Sequence, residues 1–210
     1  IKMISSAILK GENVGFHSDF LVSGKLPSGL IPGEAFGANL WITIKESGKE
    51  GPLKESLKLV PRLLVLGIGC RKGVPAKTIE KVLDRVFKEW DLSQEALAAC
   101  ASIDLKKEEE GICRFAASKG IPFYTYPAAV LEETEGEFSS STFVKQITGV
   151  DNVCERAALA CVKELGGGKL LVKKQAADGV TAAVAVRDWK VQLKACNSLG
   201  CLLYTSPSPR

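Results

Sequence analysis

The chain has 210 residues, 46% of them hydrophobic and 25% charged, with a formal net charge of +4. These values place it among ordinary globular domains, with material for one large domain or one domain with pieces attached. No basic block interleaved with aromatics appears, and no apolar run reaches the roughly 18 residues a membrane span needs, which argues against nucleic-acid and membrane partners.

The first residues read as a helix from Met3 to Lys10, broken by Gly11-Glu12-Asn13. Val14-Gly15-Phe16 follows as a short strand, then His17-Ser18-Asp19, two proline–glycine turns, and an alternating strand from Leu40 to Lys45. Lys45 to Lys58 is charged and glycine-rich and reads as a linker. The next stretch is cleaner: a buried strand over Leu63–Gly67 leads into Gly67-Ile68-Gly69-Cys70-Arg71-Lys72-Gly73. An amphipathic helix follows Pro75, with Ile79, Val82, Leu83, Val86, Phe87 and Trp90 on one face. Leu97–Ile103 is a second buried strand, Glu108–Lys119 a helix stopped by Gly120, and Ile121–Tyr126 a third strand. A serine run at 139–141 precedes a helix over Val153–Leu165. Strands at 170–174 and 180–187 then form a hairpin around Ala177-Asp178-Gly179. This order predicts a layered α/β/α domain with a mixed, mostly parallel sheet and a C-terminal antiparallel hairpin. Residues 191–210, ending in alternating serine and proline, read as a disordered tail or a sequence scar.

Ligands of such sheets bind beyond the carboxyl ends of the strands, where both the glycine loop and Asp104–Lys106 fall. Glycines there let a ligand approach the main chain, and the N-terminus of the following helix offers N–H groups to an anion. Gly69, Cys70, Arg71, Lys72 and Gly73 are therefore candidate binding residues for carboxylates or phosphates. The loop fits neither the Walker spacing nor the dinucleotide fingerprint, which counts against a nucleotide-phosphate site. Cys70 is a nucleophile on one reading and a small packing residue on the preferred one. Asp104 follows an apolar strand, where a carboxylate serves either as general base or as a turn cap. Asn152-Val153-Cys154-Glu155 has capping-box spacing, which explains Glu155 without catalysis. Lys173 and Lys174 are neighbours on a strand, so at most one faces a pocket. His17 is the chain's one histidine, which nearly excludes histidine triads and two-histidine metal sites. The seven cysteines are odd in number and form no Cys-x-x-Cys pair, so they read as reduced structural thiols.

Four motifs in order carry a resemblance: Gly67–Gly73, Ala101-Ser102-Ile103-Asp104-Leu105-Lys106, Gly149–Leu159, and Val180–Ala185 after Lys173-Lys174. Together they resemble the C-terminal domain of the CbiG family of anaerobic cobalamin biosynthesis, to which the shorter CobE proteins are related. The segment from Ile8 to Asp19 is similar to the CbiG middle region. The chain then divides into a partial middle region with linker (1–58), a CbiG/CobE-like domain (59–190) and the tail (191–210), and it looks like a fragment of a longer protein.

The first residues lack the pattern of a signal peptide, so the cytoplasm is the default expectation. The resemblance implies a hydrolase: water opens the lactone of cobalt-precorrin-5A and acetaldehyde leaves, giving cobalt-precorrin-5B. A corrinoid-binding module of the CobE type is the alternative. The resemblance implies no cofactor or metal held by the protein, cobalt arriving inside the corrinoid substrate. It further implies other pathway enzymes, or a fused methyltransferase, as partners. On this reading Asp104 and Glu155 are the catalytic candidates. Gly69 to Gly73, Ser102, Lys106 and Lys173 are the substrate-binding candidates.

Overall fold

A computed structural model describes residues 2–33, 37–47, 55–136, 138 and 152–193. The chain divides into two compact units. One comprises residues 1–43, 48–59 and everything from 189 onward; the other comprises 44–47 and 60–188.

The first unit is built on a four-stranded, all-parallel sheet in the order β3-β1-β4-β5, with β1 Val14–Ser18, β3 Leu30–Pro32, β4 Ala38–Ile42 and β5 Glu55–Leu59. Helix α1 (Lys2–Leu9) packs Ile4 and Ala7 against Val14 and Ala38. β5 falls in the stretch that reads as linker. It alternates polar and apolar only from Ser56 to Leu59, and as an edge strand beside β4 it carries charge that hides the strand pattern. β2 (Val22–Ser23) pairs with β11 (Val191–Gln192), so residues expected in the tail form a strand instead. Val191 is buried with Phe16 and Ile42, which is what draws the segment in. The serine run at 139–141 and the tail from 194 lie outside the described residues.

The second unit carries a five-stranded sheet in the order β8-β7-β6-β10-β9. β6 is Leu64–Cys70, β7 Leu97–Ile103, β8 Phe123–Tyr126, β9 Gly168–Ala177 and β10 Val180–Arg187. β6, β7 and β8 run parallel, while β10 pairs antiparallel with both β6 and β9. The parallel strands are joined through α2 (Ala76–Glu89) and α3 (Glu110–Lys119), which pack on each other. α4 (Ala128–Glu132) and α5 (Val153–Glu164) follow, and α5 lies across β6, β7, β9 and β10. Alternation along the strands explains the two covered faces. Val65, Ala99, Ala101 and Ala185 pack with α5 residues such as Ala157 and Ala158. The intervening Leu64, Leu66, Ile68 and Cys100 are equally buried and point to the other face.

Small residues on the α5 side have a cause. A Cβ at Gly67 would overlap the Cys154 carbonyl oxygen and crowd the Ala158 methyl, so glycine lets α5 lie directly on the strand. α2 buries Ile79, Val82, Leu83, Val86 and Phe87 as expected. Trp90 does not join them: it ends the helix and is 45% exposed. The hairpin turns through Asp178 (φ 51°) and Gly179 (φ 76°), the pair of positive φ angles that a two-residue turn matched to strand twist requires.

Candidate functional site

The carboxyl ends of β6, β7 and β9 and the start of β10 surround a cavity of about 850 Å³ within the second unit. Its rim carries Arg71, Lys72, Lys106 and Lys174, against one carboxylate, Asp178. Its floor is apolar, from Ile103, Val153, Ala176, Ala177 and Val180. Among the described residues, the side chains of Arg71, Lys72 and Lys174 have no ion-pair partner, which leaves three charges free for a ligand.

Each element reaches the cavity for a local reason. β6 runs out at Cys70, and the Arg71 N–H donates to the Gly179 carbonyl at 2.9 Å, joining the glycine loop to the hairpin turn. Gly73 takes φ 78°, and its N–H donates to Glu109 Oε1 at 2.7 Å. Lys106 stands on the 3-10 turn Asp104–Lys106 after β7, and its Nζ donates to Glu109 Oε2 at 2.9 Å. These bonds to Lys106 and Gly73 hold the Glu109 carboxyl below the usual carboxylate range, against the opposing pull of burial.

On the other side, the register of β9 against β10 slips between Ala182 and Val184. Lys173 and Lys174 together face Ala183, which is a β-bulge. The bulge frees the Lys174 N–H from the ladder, and Glu155 Oε1 accepts it at 2.6 Å. Glu155 is fully buried in the first turn of α5, where its own N–H donates to the Asn152 side chain at 3.2 Å.

The structure thus sorts the expected site residues. Gly69, Cys70, Arg71, Lys72 and Lys106 line the cavity; Gly73 sits behind it. Ser102 is fully buried and donates to the Ile68 carbonyl at 2.7 Å, pinning β7 to β6 rather than facing a ligand. Lys174 takes the place expected of Lys173, because the bulge re-aims the pair. Asp104 is exposed at the start of the 3-10 turn and does not line the cavity, so it does not share a pocket with Arg71 as a general base must. Glu155 lies behind the lining and holds main chain. The start of α2 is also off the lining; the helix that opens onto the cavity is α5, through Val153 and Cys154.

Neither cavity thiol is activated. Burial pushes Cys70 up, with the Lys106 charge only partly offsetting it, and burial pushes Cys154 up to about 12. Val153, Cys154, Asp178 and Thr181 are lining residues that sequence reasoning passed over, as is Glu109 behind them. The hairpin signal around Asp178 and the capping pattern at Asn152 were both visible, but neither says that its element meets the glycine loop. His17 lies in the first unit, its ring 4.2 Å from Trp41 and its Nε2 3.9 Å from Asp19.

Fold and site define an α/β domain with a cation-rimmed cavity at the carboxyl ends of its parallel strands, where open α/β sheets bind ligands. The profile of the family "Cobalamin synthesis G C-terminus" matches residues 64–185, and the chain belongs to that family, CbiG. It is 37% identical to the cobalt-precorrin-5A hydrolase of Salmonella typhimurium, over 89% of this chain and 54% of that protein. It is 31% identical to the enzyme of the same name from Priestia megaterium, over 66% of this chain and 36% of that one. The chain therefore spans about half and about a third of these two relatives. The crystal structure of CobE, a protein from the cobalamin biosynthetic pathway, superposes with a TM-score of 0.56 at 36% identity, covering 60% of this chain and 91% of that one. No helix among the described residues is long and apolar enough to cross a membrane.

Proposed function

We propose that the second unit holds the corrinoid macrocycle of cobalt-precorrin-5A for hydrolysis, the unit acting as part of a cobalt-precorrin-5A hydrolase. The observation that carries this reading is the cavity: three unpaired cations and a fourth, Lys106, surround an apolar floor. A contracted corrinoid presents the complementary surface, an apolar ring edge with acetate and propionate arms. Arginine and lysine suit those arms because charge-assisted hydrogen bonds to carboxylates are the strong ones. The main-chain N–H groups at the start of α5 add to the same potential.

In the reaction, water adds to the lactone carbonyl and the ring ester opens to a carboxylate. The two-carbon unit then leaves as acetaldehyde. Cobalt belongs to the substrate. The cavity's own residues orient the macrocycle through its arms, and Asp178, 3.6 Å from Arg85, is the one carboxylate among the described lining residues. Asp104 and Glu155 are not assigned catalysis, the first being exposed off the lining and the second committed to the β9 bulge.

The names of the relatives at 37% and 31% identity support the hydrolase over a pure binding module. The test is acetaldehyde release from cobalt-precorrin-5A by this protein. Replacing Arg71 and Lys174 together by Ala is expected to raise KM about a hundredfold, on the basis of roughly tenfold per charged anchor. Tight corrinoid binding with no acetaldehyde released would reassign the protein to the CobE-like binding role.

A further inference from the structure

We propose that Glu109 is the positioning residue of this anion site, fixing the glycine loop and the Lys106 ammonium at one spacing; this rests on the corrinoid reading above. Glu109 stands immediately before α3, outside the cavity lining. Its two carboxylate oxygens are divided between two elements. Oε1 accepts the Gly73 N–H at 2.7 Å, and Oε2 accepts Lys106 Nζ at 2.9 Å. The side chain is only 9% exposed. One loop carries Arg71 and Lys72, and the other element carries Lys106, so this single carboxylate joins the cations of two separate segments.

The remaining constraints make Glu109 decisive. The loop is tied to the hairpin at Arg71 by a main-chain bond, but on the α3 side Glu109 supplies the tie. Gly111 lets the first turn of α3 come so close to the loop that a Cβ there would overlap the Val74 carbonyl oxygen. That approach brings the carboxylate within reach of Gly73. Because Glu109 does not line the cavity, it aims Lys106 without occupying the place of a ligand carboxylate. Its carboxyl, held below the usual range chiefly by Lys106, stays ionised throughout neutral pH.

The chemistry of the side chain makes the proposal testable. Glutamine has one acceptor oxygen and one donor amide, so Glu109→Gln can satisfy either Gly73 or Lys106 but not both. With Lys106→Met, the glutamine needs to serve only Gly73. Affinity would be measured for cobyrinic acid, a cobalt corrinoid whose arms are free carboxylic acids, using the complete chain. Glu109→Gln is expected to weaken binding about tenfold, and in the Lys106→Met background the same change is expected to cost less than about twofold. Hydrogen exchange at the Gly73 amide is expected to accelerate in Glu109→Gln and to return toward wild type in the double variant. Should Glu109→Gln not fold, Glu109→Asp, whose shorter side chain cannot span both donors, takes its place in the same comparison with and without Lys106.

Wild-type affinity in Glu109→Gln, or an equal tenfold loss with and without Lys106, would overturn the positioning role. Failure of the wild-type chain to bind cobyrinic acid would instead overturn the corrinoid reading, and this inference with it.

Discussion

Of the helices that begin near the ligand end of the five-stranded sheet, α2 and α5 are used differently. α2 follows the glycine loop directly, starts at Pro75 without a side-chain cap, and has none of its first turn on the cavity lining. α5 arrives much later in the chain, starts at Asn152 in a left-handed conformation, and places Val153 and Cys154 on the lining. The glycine loop turns the chain, supplies Arg71 and Lys72, and bonds to the hairpin; the helix dipole comes from elsewhere. A strand–glycine–helix pattern therefore specifies a turn, while the packing of the sheet decides which helix end meets the ligand.

The contrast is broken most severely at Gly67. Gly67→Ala inserts a methyl where β6 touches the main chain of α5, and overpacking of this kind is expected to cost about 3 kcal/mol. Chemical denaturation reads it, and a loss under about 1 kcal/mol would mean that α5 is not seated on the strand as described. Next in size is Glu155→Ala, which strips the Lys174 N–H of its buried side-chain acceptor. The expected loss is about 2 kcal/mol, with Glu155→Gln recovering part of it because the amide oxygen still accepts that bond.

Much of this arrangement was legible in the sequence, and what was not has identifiable causes. The strand at 97–103, the apolar face of α2 and the two-residue hairpin turn follow from local periodicity and turn chemistry. β5 was hidden because an edge strand tolerates charge. The choice of Lys174 over Lys173 depends on a bulge that only strand pairing creates. Glu155 had the right spacing for a cap, and Asn152 does accept its N–H, but its carboxylate answers a need created on β9, nineteen residues on. A strand's end suggests a cleft for Asp104, whereas the 3-10 turn that follows brings Lys106 to the cavity and leaves Asp104 exposed.

A sharper test compares the two helix starts themselves. Val153→Asp places a carboxylate at the start of α5 inside the cavity and is expected to weaken cobyrinic acid binding more than tenfold. Lys77→Glu makes a change of charge twice as large at the start of α2 and is nonetheless expected to change affinity less than about twofold. Equal effects would mean that both helices face the ligand.

Smallest is the expected effect on the thiols. Burial raises Cys70 above the ordinary thiol range, so its alkylation by iodoacetamide is expected to lag a free thiol at neutral pH and to catch up only at more alkaline pH. Alkylation of Cys70 at neutral pH faster than the free thiol would contradict that placement. The Glu109 tie has the opposite sense. A lowered carboxyl stabilises the fold fully above the ordinary glutamate range and loses that contribution as pH falls through its lower folded-state value. Protection of the Gly73 amide is accordingly expected to persist through neutral and mildly acidic pH.

The measurement closest to the central claim is the affinity of the wild-type chain for two forms of one macrocycle, cobyrinic acid with free carboxylate arms and cobinamide with amidated ones. A cavity rimmed by Arg71, Lys72, Lys106 and Lys174 is expected to bind the acid at least about tenfold more tightly, with the difference shrinking as salt is added. Equal affinity for both forms, unaffected by salt, would contradict the account.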